Sequence, residues 1–244
     1  MAYLSHKLKN LLTEITGYWI YKKRYLPIGA DLSVDIYTRL KFSPRTIFDV
    51  GANVGQTVIH FDNIFKDVKI YSFEPVSSTY KQLVCNLDGK KNIVLENIAL
   101  GDSDSTEEIS LFEGELSVLN SLNQNSMNRN SDASKETIKV LKLDTYCSLN
   151  KIDSIDLLKI DTEGYELQVL KGAQYFLESG KIKMILAEVG FNVKNRRNTQ
   201  FTELNEYLVT YNFNFHSMYD VSNQFIKNGE NFANALYVHN QMFD

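Results

Sequence analysis

From residue 46 onward, short apolar runs alternate with longer stretches whose apolar residues recur at helical spacing. That alternation predicts a largely parallel sheet with helices on both faces. Thr46–Val50 is the first predicted strand, beginning just after Pro44, and a helix is expected from about Val54 to Phe65. Lys69–Phe73 is the second strand, stopped by Glu74-Pro75, with a helix starting near Ser77. Ile93–Asn97 is the third. Two more strand candidates, Glu108–Phe112 and Thr137–Leu143, flank a polar stretch, Gly114–Lys135, rich in Asn and Ser. A stretch of that length inside a compact domain is usually functional, and it reads as a lid that orders over bound ligands.

Ile155–Ile160 is the most apolar run and should lie centrally; it ends at Asp161. After Gly164 a helix carries Leu167, Val169, Leu170 and Ala173, and Ile182–Val189 is the next strand. A helix near Thr202–Thr210 precedes two last strands, Phe213–Tyr219 and Ala235–His239. No helix-length segment separates that pair, which predicts an antiparallel edge.

The first 42 residues read as an N-terminal helical extension to a domain over residues 43–244. Leu4, Leu8, Leu11, Leu12, Ile15 and Trp19 fall at helical spacing and define an amphipathic helix. Such a stripe is expected to face a core, with its lysines solvated. The alternative is that residues 1–25 contact a membrane surface or a partner. Charge keeps that alternative open. Lys7, Lys9, Lys22, Lys23 and Arg24 oppose only Glu14, a formal +4, which leaves about −8 on the rest of a chain whose net charge is −4.

Composition changes the picture little: 43% hydrophobic and 23% charged residues allow a core of normal size. The acidic balance argues against a nucleic-acid partner, which needs a basic stripe. Cys85 and Cys147 form no disulfide framework and lack metal-ligand spacing, so both are expected as reduced packing residues. No apolar run approaches transmembrane length, and a cytoplasmic protein, with peripheral membrane contact as the alternative, is the expectation.

The candidate chemistry lies at strand ends. The first strand runs into Asp49-Val50-Gly51-Ala52-Asn53-Val54-Gly55-Gln56-Thr57. Glycines at such a turn let the backbone approach a ligand at a helix N-terminus. The G-x-x-x-G spacing is not the dinucleotide fingerprint, and no Gly-Lys-Ser/Thr is present to form a P-loop. Asp49, just before the turn, can take up a ligand's ammonium or order the loop. Glu74 closes the second strand where doubly wound folds bind a ribose. A plain surface carboxylate is the other reading; joined to Asp49 and the glycine turn, Glu74 points to a nucleoside cofactor.

Asp161, Glu163 and Glu166 follow the carboxyl end of the central strand. Helix capping explains Glu166 well, and explains less well an acid at the strand tip, so Asp161 is assigned to function. His60 and His216 read as packed histidines. Asp161 with Glu188 is too small a ligand set for magnesium, and no metal is expected.

Asp49-Val50-Gly51-Ala52-Asn53-Val54-Gly55, Phe73-Glu74-Pro75, Ala99-Leu100-Gly101-Asp102, Leu143-Asp144, Ile160-Asp161-Thr162-Glu163-Gly164-Tyr165-Glu166, Leu170-Lys171-Gly172-Ala173 and Glu188-Val189 occur in this order. Over residues 46–190 the chain thus resembles FkbM-family methyltransferases. The resemblance implies a Rossmann-like α/β fold, S-adenosyl-L-methionine as cofactor, and O-methylation of sugars, polysaccharides or natural-product hydroxyls. It also implies that Gly51, Ala52 and Asn53 lie against the methionine part, with Gly55, Thr57 and Pro75 beside the cofactor. Glu74 would hold the ribose, Ile98 and Ala99 would border the adenine, and Ser121 in the long loop matches a family serine. Asp161 would face the reacting methyl and, with Glu163, would be the catalytic candidate.

A hydroxyl of a saccharide or natural product is therefore the expected acceptor. A carboxylate of a peptide or natural product is the alternative within the same chemistry. From other classes, a non-catalytic nucleoside-binding regulatory module is opposed by the intact set Asp49, Glu74 and Asp161, and a nicotinamide oxidoreductase by the glycine spacing.

Overall fold

The computed structural model describes residues 2–18, 21–22, 25–111, 134–192, 197–222 and 231–242. The chain forms two compact units, Met1–Phe42 and Ser43–Asp244. In the first, α1 spans Ala2–Thr16, and α2 (Leu32–Val34) continues as a π-helical turn, Asp35–Arg39. Asp31 caps α2 by accepting from the Val34 N–H at 3.0 Å, while buried Asp35 accepts from the Gly29 N–H at 2.8 Å and pairs with Arg39. Leu8, Leu11 and Ile15 are each more than half exposed. Trp19, Lys23 and Arg24 lie outside the described residues.

The second unit is built on a seven-stranded sheet. β1 (Thr46–Val50) lies near its middle, with Ile47, Phe48 and Val50 almost wholly buried. Consecutive buried residues mean that both faces are covered, which is why the run is continuously apolar and not alternating. β2 (Lys69–Phe73) and β3 (Ile93–Glu96) extend the sheet in parallel on one side of β1. Next in the chain come three strands of a second, small sheet: β4 (Ala99–Leu100), β5 (Ser105–Leu111) and β6 (Ser134–Leu141). β7 (Ile155–Ile160) and β8 (Ile182–Gly190) extend the main sheet on the other side of β1, again in parallel. β10 (Phe232–His239) pairs antiparallel with both β8 and the edge strand β9 (Phe213–Tyr219). The order is thus β3-β2-β1-β7-β8-β10-β9. This is the predicted parallel sheet with an antiparallel C-terminal edge. Strand order reverses between β1 and β7, and the crevice beyond their carboxyl ends is where such sheets bind ligands.

α3 (Gln56–Ile64), α4 (Ser77–Asn86), α5 (Leu143–Asn150), α6 (Glu166–Lys171), α7 (Gln174–Glu178) and α8 (Phe201–Val209) complete the domain. Inside the core the Phe48 ring lies 5.1 Å from that of Tyr71 and 5.2 Å from that of Phe73, which meets Tyr146 edge-on at 4.8 Å.

Several expectations need correction. The strand candidates over 108–112 and 137–143 leave the main sheet: β6 pairs with β4 and β5, with Val76, Ala99, Ile109, Ile138 and Val140 as a separate apolar cluster. Leu143 opens a helix and does not end a strand. Asp144, in its first turn, instead caps the helix at Gln174–Glu178, accepting from the N–H groups of Tyr175 and Phe176 at 2.8 and 3.2 Å. His60 is exposed on α3, and Cys85 is exposed while Cys147 is buried. Ser121 and the expected lid up to residue 133 lie outside the described residues, and the last two lid residues, Ser134 and Lys135, begin β6.

Candidate active site

The turn after β1 shapes the first wall of the crevice. Gly51 adopts a φ of +82°, and a Cβ there would stand 1.8 Å from the Asp161 carbonyl oxygen. Its bare backbone is thus demanded by the end of β7 passing beside it, in addition to any ligand. Asn53, at φ +49°, directs its N–H to Glu74 Oε2 at 3.0 Å. Gly55, at φ +97°, begins α3, where a Cβ would come within 2.9 Å of Leu83 on α4.

Glu74 Oε1 accepts from the Val76 N–H at 2.9 Å. Burial pushes the Glu74 pKa up to about 7, against the opposing pull of the Val76 and Asn53 amides. Each carboxylate oxygen retains a second lone pair for a ligand hydroxyl.

Gly51, Ala52, Asn53, Thr57, Glu74, Pro75, Ala99, Asp161 and Glu163 all line one cleft. Asp49, Gly55 and Ile98 do not. Asp49 is fully buried on β1 and neither of its oxygens hydrogen-bonds within the described residues. Gly55 packs α3 onto α4, and Ile98 packs against the main core. Sequence reasoning missed Gln56, Val76, Thr79, Leu100, Ile109, Thr162 and Tyr165, which also line the cleft. Ile109 lies within a predicted strand, but its place on this wall depends on how the small sheet pairs.

The other end of the cleft is ionic. Lys159, 3% exposed, reaches Asp161 Oδ2 at 2.8 Å and stands opposite Asp49 in the β1–β7 register. Burial works against the Lys159 charge, yet Asp161 and Asp49 outweigh it and hold the ammonium pKa above its ordinary value. Burial pushes the Asp49 pKa up to about 6 despite Lys159. Glu163, in a left-handed conformation at φ +54°, takes the Arg197 fork through Nε and, at 2.6 Å, Nη2. Burial still raises the Glu163 pKa, because the lost hydration exceeds what Arg197 restores.

Glu188, on β8, accepts from Asn198 Nδ2, and burial beside Asp161, Glu163 and Glu166 pushes its pKa well above the carboxylate range. Glu166 is structural, as capping predicts. Its Oε1 accepts from the N–H groups of Thr162 and Gly164, and its Oε2 from the Thr199 hydroxyl at 2.6 Å. Lys159 and Arg197 are functional candidates that the sequence reading did not bring to the site, and Glu188 was brought there only as a companion of Asp161 for a metal.

The profile described as "Methyltransferase FkbM domain" matches residues 49–215, more than half of the chain. This chain belongs to the FkbM methyltransferase family. S-adenosylmethionine is the cofactor of its FkbM domain. The chain is 26% identical over 167 residues to the hexuronic acid methyltransferase AglP of Haloferax volcanii, covering 65% of this chain and 66% of that protein, just under two thirds of its length. Among solved structures, Methanococcus jannaschii fibrillarin overlays with a TM-score of 0.48 at 14% identity, covering 80% of this chain and 66% of that one. Aeropyrum pernix fibrillarin with bound S-adenosylmethionine gives 0.46 at 14% identity, with the same coverages.

The FkbM-domain cleft fits that cofactor. Val76, Ala99, Leu100 and Ile109 offer an apolar wall for a flat base, Glu74 offers acceptors for ribose hydroxyls, and the acidic end suits a sulfonium. One carboxylate oxygen from each of Asp161, Glu163 and Glu188 lies within 4.8 Å of the others, a spacing that would also admit a divalent cation. Lys159 and Arg197 already supply positive charge to two of these acids.

Proposed function

We propose that this chain is an S-adenosylmethionine-dependent methyltransferase that methylates a hydroxyl of a saccharide. The family assignment supports the reaction, and the relative named as a hexuronic acid methyltransferase supports the acceptor class. The observation that carries the hydroxyl chemistry is Asp161. It lines the cleft at the tip of a central strand with Oδ2 held by Lys159, and a carboxylate so held has a second oxygen with which to accept a proton from an attacking hydroxyl.

Bound S-adenosylmethionine supplies a methyl group already activated by its sulfonium. The protein's part is alignment, exclusion of water and removal of one proton. Glu74 and the Asn53 amide fix the nucleoside end. Lys159 would hold Asp161 so that its carboxylate can take the proton from the acceptor hydroxyl.

A second reading has its own support. Asp161 and Glu163 are both ion-paired, and Glu188 favours its protonated form. A carboxylate acceptor would need no base, and a uronic acid carries a carboxylate as well as hydroxyls. Labelled S-adenosylmethionine with neutral oligosaccharides, uronic-acid-containing oligosaccharides and a peptide panel is the test. Alkali-stable label, a methyl ether, is the expected outcome. Label released by mild alkali as methanol would place the carboxylate reading first, and transfer to peptides alone would end the saccharide assignment.

A further inference from the structure

On α1, Leu8, Leu11, Leu12 and Ile15 share roughly a third of the helix circumference. Leu8 is 58%, Leu11 51% and Ile15 71% exposed, and Tyr18, Tyr21, Tyr25 and Ile28, further along the chain, are exposed as well. Lys9 lies beside the stripe with its ammonium 4.6 Å from the centre of the Tyr21 ring. A Leu-rich face left in water is unfavourable by about 25 cal/mol per Å² and marks a surface that something covers.

We propose that α1 docks in the plane of an anionic lipid surface, with its leucine face at the headgroup boundary and its basic residues against lipid phosphates. Charge selects this occupant. Residues 1–25 carry five basic residues and one acid, on a chain whose remainder is acidic. A negatively charged surface therefore attracts this segment and repels the rest, which orients the approach. A second α1 packed against the first would bring like charges together. The exposed tyrosines fit the same surface, because an aromatic ring with a polar tip favours the membrane–water interface. No helix among the described residues is long and apolar enough to cross a membrane, so the contact is one of lying on the surface. A helix of this length is marginal alone in water, and burial of one face is what stabilises it.

Flotation of the full chain with vesicles of phosphatidylcholine alone, or mixed with phosphatidylglycerol, tests this. Binding is expected only to the phosphatidylglycerol vesicles and should fall as salt screens the lysines. Lys9→Glu should weaken it at least roughly fivefold. The Leu11→Ser/Ile15→Ser double variant should lose it while still binding S-adenosylhomocysteine, which shows that the methyltransferase domain is folded. Equal binding to both vesicle types, no binding to either, or a double variant that floats like the parent would overturn the proposal. So would sedimentation showing a dimer that the double variant dissolves, since a second copy would then cover the stripe.

Discussion

Lys159 on β7 stands opposite Asp49 on β1 in the strand register, and its ammonium lies 2.8 Å from Asp161 Oδ2. One buried cation thus serves an acid beneath the cleft floor and an acid that lines the cleft. Removing it leaves charge buried without a partner. Lys159→Met is expected to cost about 3 kcal/mol of stability, the low end for a broken buried pair, because Asp161 is one-third exposed. Lys159→Arg should recover much of the stability and only part of the turnover, since its fork cannot hold Asp161 in the same place. Thermal unfolding and kcat, measured together, check this; an unchanged melting temperature in the Met variant would contradict it.

Asp161 and Glu163 should separate. Asp161→Asn removes the proposed proton acceptor and is expected to lower kcat by about 10²–10⁴. Glu163→Gln should cost less, because Arg197 already occupies the Glu163 carboxylate. Cofactor affinity must be measured in both variants, since Asp161 belongs to the acidic end of the cleft, which suits the cofactor's sulfonium. Equal losses in the two would remove the distinction.

Glu74→Ala should weaken cofactor binding roughly ten- to a hundredfold, the loss of charge-assisted hydrogen bonds worth about 1.5–3 kcal/mol. The Asn53 and Val76 amides lose their acceptor at the same time, so the turn after β1 should loosen as well. Calorimetry with S-adenosylhomocysteine reads the affinity, and a variant that binds like the parent would take Glu74 out of the ribose role.

The cofactor-free protein should lose stability as pH rises. Asp49 and Glu74 titrate near 6 and 7 when folded, against 3.8 and 4.5 as ordinary values. Between about pH 4 and 7 the folded state therefore binds more protons than the unfolded state, and unfolding becomes easier through that window. The effect is on the order of 3 kcal/mol for each group. Asp62 and Asp104 are held low, by Lys90 and by the Lys142 amide, and their contribution is lost only in stronger acid. Melting temperatures should be higher near about pH 5 than near about pH 8, with a smaller drop in Glu74→Gln. A flat profile would show that neither acid is held protonated.

Gly51→Ala tests the closest backbone approach in the site. Its Cβ would meet the Asp161 carbonyl oxygen at 1.8 Å, from a φ of +82°. Strain at such a residue is typically about 1–3 kcal/mol, and the clash adds to it. The melting temperature should fall and cofactor affinity with it, because β1 and β7 must separate to make room. Unchanged unfolding would mean that the turn relaxes freely.

The sequence alone determined the elements whose signals are local. β1, β2 and β7 read correctly because runs such as Ile47-Phe48 and Leu157-Leu158 are buried on both faces of one sheet, and a buried run is visible without knowing its neighbours. Glu74 and Asp161 were legible for a related reason. Each ends a strand, and parallel strands deliver their carboxyl ends to one crevice.

Only the tertiary structure decided what depends on pairing across the chain. Ile109 joined the cleft wall because β5 pairs with β6 away from the main sheet, and apolar alternation does not say which strand will be the partner. Leu8 and Ile15 show that a helical stripe specifies a face but not what covers it. Arg197 reaches Glu163 across 34 residues, and Lys159 meets Asp49 across a strand register. Those ion pairs decide which acids are engaged and which retain a proton, and their energies depend on distance and burial, quantities that exist only once the chain has folded.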